Sequence, residues 1–279
     1  MALVTLNQAF DHLNRNGGGA LAGVVVLGWE DAKAYVMAAE KVGCPIILQA
    51  GPGCRRHTPL TVLAEMFRVL AEQATVPVVA HLDHGTSPEE CFAGIDAGFS
   101  SVMYDGSALP LSENIANTNR VLERARAAGV SVEAELGIVG YVGAKQSVST
   151  DPAEVKAFID AAPVDALAIS AGNTHLSQDD SVPVDEQAIA AIQAVVPTPL
   201  VLHGGSGIPL TQRRRVALTT SVMKFNIGTE LRQAFGRSLR EQLERYPDMF
   251  DRNEILGGVI EPLAGSAEGV LRNLVSYGQ

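Results

Sequence analysis

The chain has 279 residues, 47% of them hydrophobic and 5% aromatic, enough for the core of one large α/β domain. Its formal net charge of −10 argues against nucleic acid as the main partner, because phosphates repel an acidic surface. It leaves phosphorylated small molecules open, since a few local donors can dominate a pocket.

The first sixteen residues lack a basic region and a cleavage site, so no signal peptide is expected. Leu3, Leu6, Phe10 and Leu13 recur at helical spacing and predict a packed first helix. Strand-like runs then follow at Leu21–Leu27, Pro45–Gln49, Val76–His81, Ser100–Tyr104, Val130–Leu136, Ala166–Ser170, Pro199–His203 and Val222–Ile227. They are short, rich in Val, Ile, Leu and Ala, and not cleanly alternating, as strands buried on both faces are. Helical segments fall between them: Glu30–Val42, Pro59–Gln73, Pro88–Ala97, Leu111–Ala128, Pro152–Ala161, Asp185–Val195, Pro209–Thr219 and Thr229–Arg245. Several carry proline, Asp or Ser near their first turn, which is a start signal. Phe250–Gln279 reads as one or two extra helices. Eight strand–helix units predict an α/β TIM barrel, (β/α)8, as a single domain over 1–279, with a doubly wound sheet as the alternative.

No apolar stretch approaches the roughly 20 residues of a membrane span. Cys44, Cys54 and Cys91 form no CxxC pair, and the odd count suggests reduced thiols and a cytoplasmic protein. Cys54, in a Gly-rich loop, reads as an ordinary loop thiol.

Polar residues gather where the predicted strands end, the rim at which barrels carry active sites. The third strand runs into His81-Leu-Asp-His-Gly85 and the fourth into Tyr104-Asp-Gly-Ser107. The fifth contains Glu133-Ala-Glu135, the sixth leads to His175, the seventh to His203-Gly-Gly-Ser-Gly207, and the eighth to Asn226-Ile-Gly-Thr229. The chain has six histidines, and four lie in these places. His84, His175 and His203 would make a three-histidine metal site with an open position, the pattern of catalytic zinc. The plainer reading is three unrelated loop histidines. His81 is better suited to orienting its neighbours. Asp83 is placed for acid/base work. Glu133 and Glu135 alternate along a strand and so share a face. Glu135, nearer the rim, and Asp105 are candidate ligands for an alternate metal position, while Glu133 equally suits pairing with a lysine or arginine. The loop from Gly204 through Ser206 leads into a helix, and its N–H groups suit an anion such as phosphate.

Taken together, His81-Leu-Asp-His-Gly85, Tyr104-Asp-Gly-Ser107, Val132-Glu-Ala-Glu-Leu-Gly137, His203-Gly-Gly-Ser-Gly207 and Lys224-Phe-Asn-Ile-Gly-Thr229 resemble the class II, zinc-dependent ketose-bisphosphate aldolases. The resemblance runs through nearly the whole chain in order. It implies zinc on His84, His175 and His203, with Asp83 exchanging the proton of the hydroxyl on the carbon being cleaved. It implies Gly204, Ser206, Asn226 and Thr229 around dihydroxyacetone phosphate, whose enediolate the metal stabilises as a Lewis acid. It further implies a homodimer or homotetramer, and an arginine near the chain end reaching a far phosphate, sometimes in the partner subunit. Arg252, in Phe250-Asp-Arg252, is the nearest match.

Four positions depart from the family. Gly143 falls where a loop glutamate is expected, with Tyr141 and Lys145 as the substitutes at hand. The first strand, Ala22 to Gly28, lacks the usual asparagines. Gly51 replaces a Ser or Thr that meets phosphate, although Arg55, Arg56 and His57 follow and are available to an anion. Leu176 replaces the glycine after His175, with Asp179 and Asp180 beyond. These departures point to a less usual ketose phosphate. The rival functions are a zinc-dependent sugar-phosphate isomerase or epimerase on the same barrel, and a non-catalytic sugar-phosphate binder.

Overall fold

The computed structural model describes residues 3–141, 147–177 and 181–276, apart from the side chain of Tyr141. Gly143, Lys145, Asp179 and Asp180 therefore lie outside the described residues.

Eight parallel strands close into a barrel. They are β1 (Leu21–Val25), β2 (Ile46–Ala50), β3 (Val78–Gly85), β4 (Ser101–Tyr104), β5 (Ser131–Leu136), β7 (Ala166–Ile169), β9 (Leu200–Leu202) and β10 (Val222–Ile227). β1 pairs with β10 as well as with β2, so closure joins the first strand to the last and rules out the open doubly wound sheet. The strands are buried on both faces, which explains their continuous apolar runs. Two further strands, β6 (Gly140–Tyr141) and β8 (Thr174–His175), pair with each other outside the barrel.

The outer layer holds α2 (Trp29–Val42), α4 (Leu60–Gln73), α5 (Pro88–Ala97), α6 (Leu111–Ala128), α7 (Pro152–Ala161), α8 (Glu186–Gln193), α9 (Leu210–Thr219) and α10 (Thr229–Arg245). The expected helices fall at these places to within a residue or two. Their starts follow local chemistry: Ser87, Asp151 and Asp185 accept hydrogen bonds from the first-turn amides of α5, α7 and α8. The first helix, α1 (Leu6–Arg15), is capped by a reciprocal Thr5–Gln8 box. It buries Leu6, Phe10 and Leu13, each worth about 1.5–3 kcal/mol relative to exposure. The C-terminal region is one helix, α11 (Arg252–Leu274), which packs along α2 and α10. The short helix α3 (Pro52–His57) was not expected from the Gly-Pro-Gly sequence around it. Among the described residues, no helix is long and apolar enough to cross a membrane.

Polar side chains also enter the barrel interior, and Gly23 makes room for two of them. A Cβ there would stand 2.1 Å from Gln49 Oε1 and 2.8 Å from Lys224 Cε. Gly23→Ala should therefore destabilise the protein by about 1–3 kcal/mol, through overpacking. Chemical denaturation of the two proteins measures this, and equal stability would show that Gln49 and Lys224 relax freely.

Candidate active site

The carboxyl ends of the barrel strands surround a cavity of about 380 Å³. Asp83, His84, His175, Gly204, Ser206, Asn226 and Thr229, all expected at the site, line it.

The three imidazoles converge from different elements. His84 ends β3, His203 follows β9, and β8 pairs with β6 to hold the His175 backbone above the rim. Ring centroids are 4.7 Å apart for His84–His203, 5.5 Å for His84–His175 and 5.6 Å for His175–His203. A ligand nitrogen from each lies within 4.8 Å of the others. Hydrogen bonds fix which nitrogens face inward. His84 Nδ1 donates to Asp105 Oδ2 at 2.8 Å, and Asp105 Oδ1 is held by the amide and hydroxyl of Ser107. His203 Nε2 donates to Glu133 Oε1 at 3.2 Å, which leaves buried Nδ1 without a partner. A carboxylate behind each of two imidazoles is the arrangement that orients metal-ligating histidine. An orphaned ring nitrogen among converging imidazoles fits a metal ion, because a buried acceptor without a partner is costly.

Asp105, Glu135 and His84 form a second convergent set. Glu135 Oε2 lies 3.7 Å from His84 Nδ1 and 3.6 Å from His203 Nδ1, and it too lacks a hydrogen-bond partner. Burial and the neighbouring Asp105 carboxylate push Glu135 up to about 8. Burial alone would lower His84, but Asp83, Asp105 and Glu135 raise it to about 10. Burial and the nearby His84 bring His175 down to about 4.

Asp83 is buried, and burial by itself would raise its pKa. The surrounding histidines and Lys224 outweigh burial and lower it, so the carboxylate is ionised at neutral pH. Its Oδ1 accepts from Gln49 Nε2 at 2.7 Å and from Asn226 Nδ2 at 3.2 Å. Its Oδ2 stands 3.3 Å from where a Cβ on Gly51 would be. A side chain at position 51 would crowd that oxygen, and glycine leaves it open to the cavity.

On the far wall, Ser206 Oγ accepts from the amides of Gly228 and Glu230, both at 3.3 Å, at the start of α10. Gly204 adopts φ +65, and a Cβ there would meet Thr174 O at 2.2 Å, so only glycine fits. Buried Arg213 binds both Gly205 O and Glu230, fastening this loop to the helix. The amides of Gly228 and Glu230 are taken up by Ser206, whose own O–H is left to donate to an anion at the start of α10.

Sequence reasoning missed Lys224 and Gln49. Lys224 is fully buried, 2.6 Å from Glu133 Oε2 and 3.3 Å from His81 Nε2, while His81 Nδ1 meets Ser101 Oγ at 2.8 Å. Lys224 is thus the cation that Glu133 needs. A lysine within an otherwise apolar strand was the available signal. Three expected residues lie elsewhere. Arg252 lines a neighbouring cavity with Asp31, Tyr35 and Arg232 and does not reach the one holding Asp83. Arg55 is turned inward onto backbone carbonyls, so it is not available to an anion. His57 bonds Thr58 and does not line the cavity, whereas Arg56 does.

A parallel barrel carrying converging imidazoles and a carboxylate oxygen open to one cavity on its rim has the form of an enzyme site with side chains able to hold a metal ion. A family model described as class II fructose-bisphosphate aldolase matches residues 4–279. The fructose-bisphosphate aldolase of Geobacillus stearothermophilus is 36% identical, covering 100% of this chain and 99% of that protein. The probable fructose-bisphosphate aldolase of Bacillus subtilis (strain 168) is also 36% identical, over 90% of each chain. Among solved structures, the YdjI aldolase from Escherichia coli K12 superposes with a TM-score of 0.84 at 29% identity, covering 99% of this chain and 98% of that one. The chain belongs to the class II fructose-bisphosphate aldolase family, and its enzyme class is that of the carbon–carbon lyases.

Asp105→Ala should weaken metal binding about 10–100-fold, as loss of the carboxylate behind a ligating histidine does. Competition against a chromogenic chelator reads this directly. Unchanged affinity would mean that Asp105 does not orient His84.

Proposed function

We propose that the protein reversibly cleaves a ketose phosphate or bisphosphate to dihydroxyacetone phosphate and an aldehyde, with one zinc ion on His84, His175 and His203. The observation that carries this reading is the free Oδ2 of Asp83, beside three converging imidazoles and across the cavity from the Ser206 hydroxyl at the start of α10.

A divalent ion held there would act as a Lewis acid toward negative charge developing on the substrate's carbonyl oxygen. Gly204 and Ser206 would hold the phosphate next to that carbonyl, with Asn226 and Thr229 completing the wall. This pins the substrate's length between Ser206 and the imidazoles and places the scissile bond beside Asp83. In the cleavage direction Asp83 Oδ2 accepts the proton of the hydroxyl on the carbon beyond that bond. The carbon–carbon electron pair then passes to the dihydroxyacetone phosphate fragment as its enediolate, which takes one proton from solvent at its own carbon of the broken bond to give the product, while Asp83 returns the proton it accepted to solvent. Gln49 and Asn226, both on Oδ1, hold the carboxylate so that Oδ2 faces the hydroxyl. Glu135 and Asp105 would supply an alternate position for the ion beside His84. Arg56 and Arg232 line the same cavity and stand where a second anionic group would be met. Arg252 would serve such a group only from a partner subunit, in a homodimer or homotetramer.

Zinc-loaded protein should release dihydroxyacetone phosphate from fructose- or tagatose-1,6-bisphosphate, and a chelator should stop it. Recovery of two fragments separates cleavage from isomerisation. Asp83→Ala should lose about 10²–10⁴-fold in turnover while keeping its metal. Chelator-insensitive cleavage, or full turnover by Asp83→Ala, would refute the mechanism.

A further inference from the structure

Arg55 lies in α3, directly behind the turn that carries Asp83 and His84. Its side chain is only 9% exposed and does not line the substrate cavity. Nη1 donates to Ala50 O at 2.6 Å and to Asp83 O at 2.5 Å. Nη2 donates to His84 O at 3.1 Å and to Glu90 Oε1 at 3.0 Å. Glu90, in the first turn of α5, uses its other oxygen to accept from Thr86 N at 2.8 Å and Thr86 Oγ1 at 3.1 Å. One guanidinium and one carboxylate thus grip the turn on both sides of His84.

That turn needs gripping. His84 has φ +50, left-handed backbone that a residue with a Cβ adopts only when its surroundings enforce it. The pairing of β3 with β4 shifts register between Leu82 and Gly85, so the ladder does not hold this stretch. Carbonyls that point out of the ladder into a part-buried space need other donors. The planar fork of arginine reaches the carbonyls of Ala50, Asp83 and His84 and one carboxylate together, which the single point charge of lysine cannot.

We propose that the Arg55–Glu90 pair is a positioning device that holds His84 in its left-handed conformation, and so sets the Asp83 carboxylate and the His84 imidazole toward the metal and substrate. It rests on the reading of His84 as metal ligand and Asp83 as acid/base. Arg55 touches neither substrate nor metal and acts through the carbonyls of those two residues.

Arg55→Met keeps the length of the side chain and removes every donor. Three measurements read the result. In metal-free protein, hydrogen exchange of the His84 to Thr86 amides should quicken about tenfold. Cobalt(II), used as a spectroscopic metal, should bind about 10–100-fold more weakly and with an altered visible spectrum. Turnover number should fall while KM stays within about threefold, since the cavity wall that holds substrate is untouched. Arg55→Lys should recover only part of each, and Glu90→Gln should also fall short of wild type, because its single amide oxygen can accept from Arg55 or from Thr86 but not from both. A folded Arg55→Met with normal exchange, cobalt affinity and turnover overturns the proposal. If Arg55→Met does not fold, the same three readings on Arg55→Lys decide it, and wild-type values there overturn it. Should the wild-type protein bind no cobalt, the metal reading of the site fails, while the exchange comparison still decides whether the pair holds the turn.

Discussion

The site depends on one buried ion pair inside the barrel. Lys224 and Glu133 face each other at 2.6 Å with no solvent contact. An unpaired charge in that place would cost several kcal/mol, so neither residue stands without the other. Each also has a second task. Lys224 donates to His81, whose other nitrogen meets Ser101, and Glu133 accepts from His203. The path Ser101–His81–Lys224–Glu133–His203 runs from the strands of one side of the barrel to the other and ends on a ring nitrogen of the imidazole cluster. It fixes the tautomer of His203 and points Nδ1 toward the other imidazoles. Gly23 belongs to the same construction, because only a residue without a side chain leaves space for Lys224 beside Gln49. Gln49, in turn, orients Asp83.

Above this network the rim is crowded with acids and imidazoles whose pairing leaves some buried atoms over. Glu135 Oε2 and His203 Nδ1 are buried without hydrogen-bond partners, and Asn226 Oδ1 and Gln49 Oε1 are in the same condition. A fold that leaves such atoms together is strained unless something else fills their coordination. The strain is also visible in the backbone, where His84 and Leu176 are the non-glycine residues of positive φ among those described. Both line the cavity. The rest of the barrel, uniformly apolar and regular, supplies the rigidity that keeps these residues in place.

The eight strands and eight outer helices were legible because each strand is a short apolar run and several of the helices have a chemical start signal. The histidines, Asp83 and the Gly204–Ser206 loop were legible because polar residues at strand ends have little reason to be there except chemistry. What was hidden was hidden for physical reasons. α3 has six residues and begins inside Gly51-Pro-Gly53, too short for any periodicity to show. The β6–β8 pair consists of two residues on each side, held by tertiary position and not by propensity. Lys224 reads as a solvated lysine until the register of β10 turns it inward opposite Glu133. Arg55 and Arg56 are adjacent in sequence and look alike, yet the helical turn sends one into the protein and leaves the other on the cavity. Arg252 was read from a local motif, but the fold sets it beside Asp31, Tyr35 and Arg232 in a neighbouring cavity.

Closure of the barrel through β1 and β10 also has a meaning in time. β1 pairs with β2 early in the sequence, but its other edge has no partner until β10 exists. On a ribosome adding 5–20 residues per second, the roughly 200 residues between them take on the order of 10–40 s. For that interval a sheet built from the strands already made is open at both ends, at β1 and at its newest strand, and such bare edges are templates on which strands of other chains can add. Lys224 arrives only with the last strand, so Glu133 must wait inside a partial barrel without its counter-ion. The imidazole cluster and the final seam of the fold therefore come into being together, and a nascent chain that stalls before β10 is both unclosed and without the Lys224 and Asn226 that its rim residues lean on.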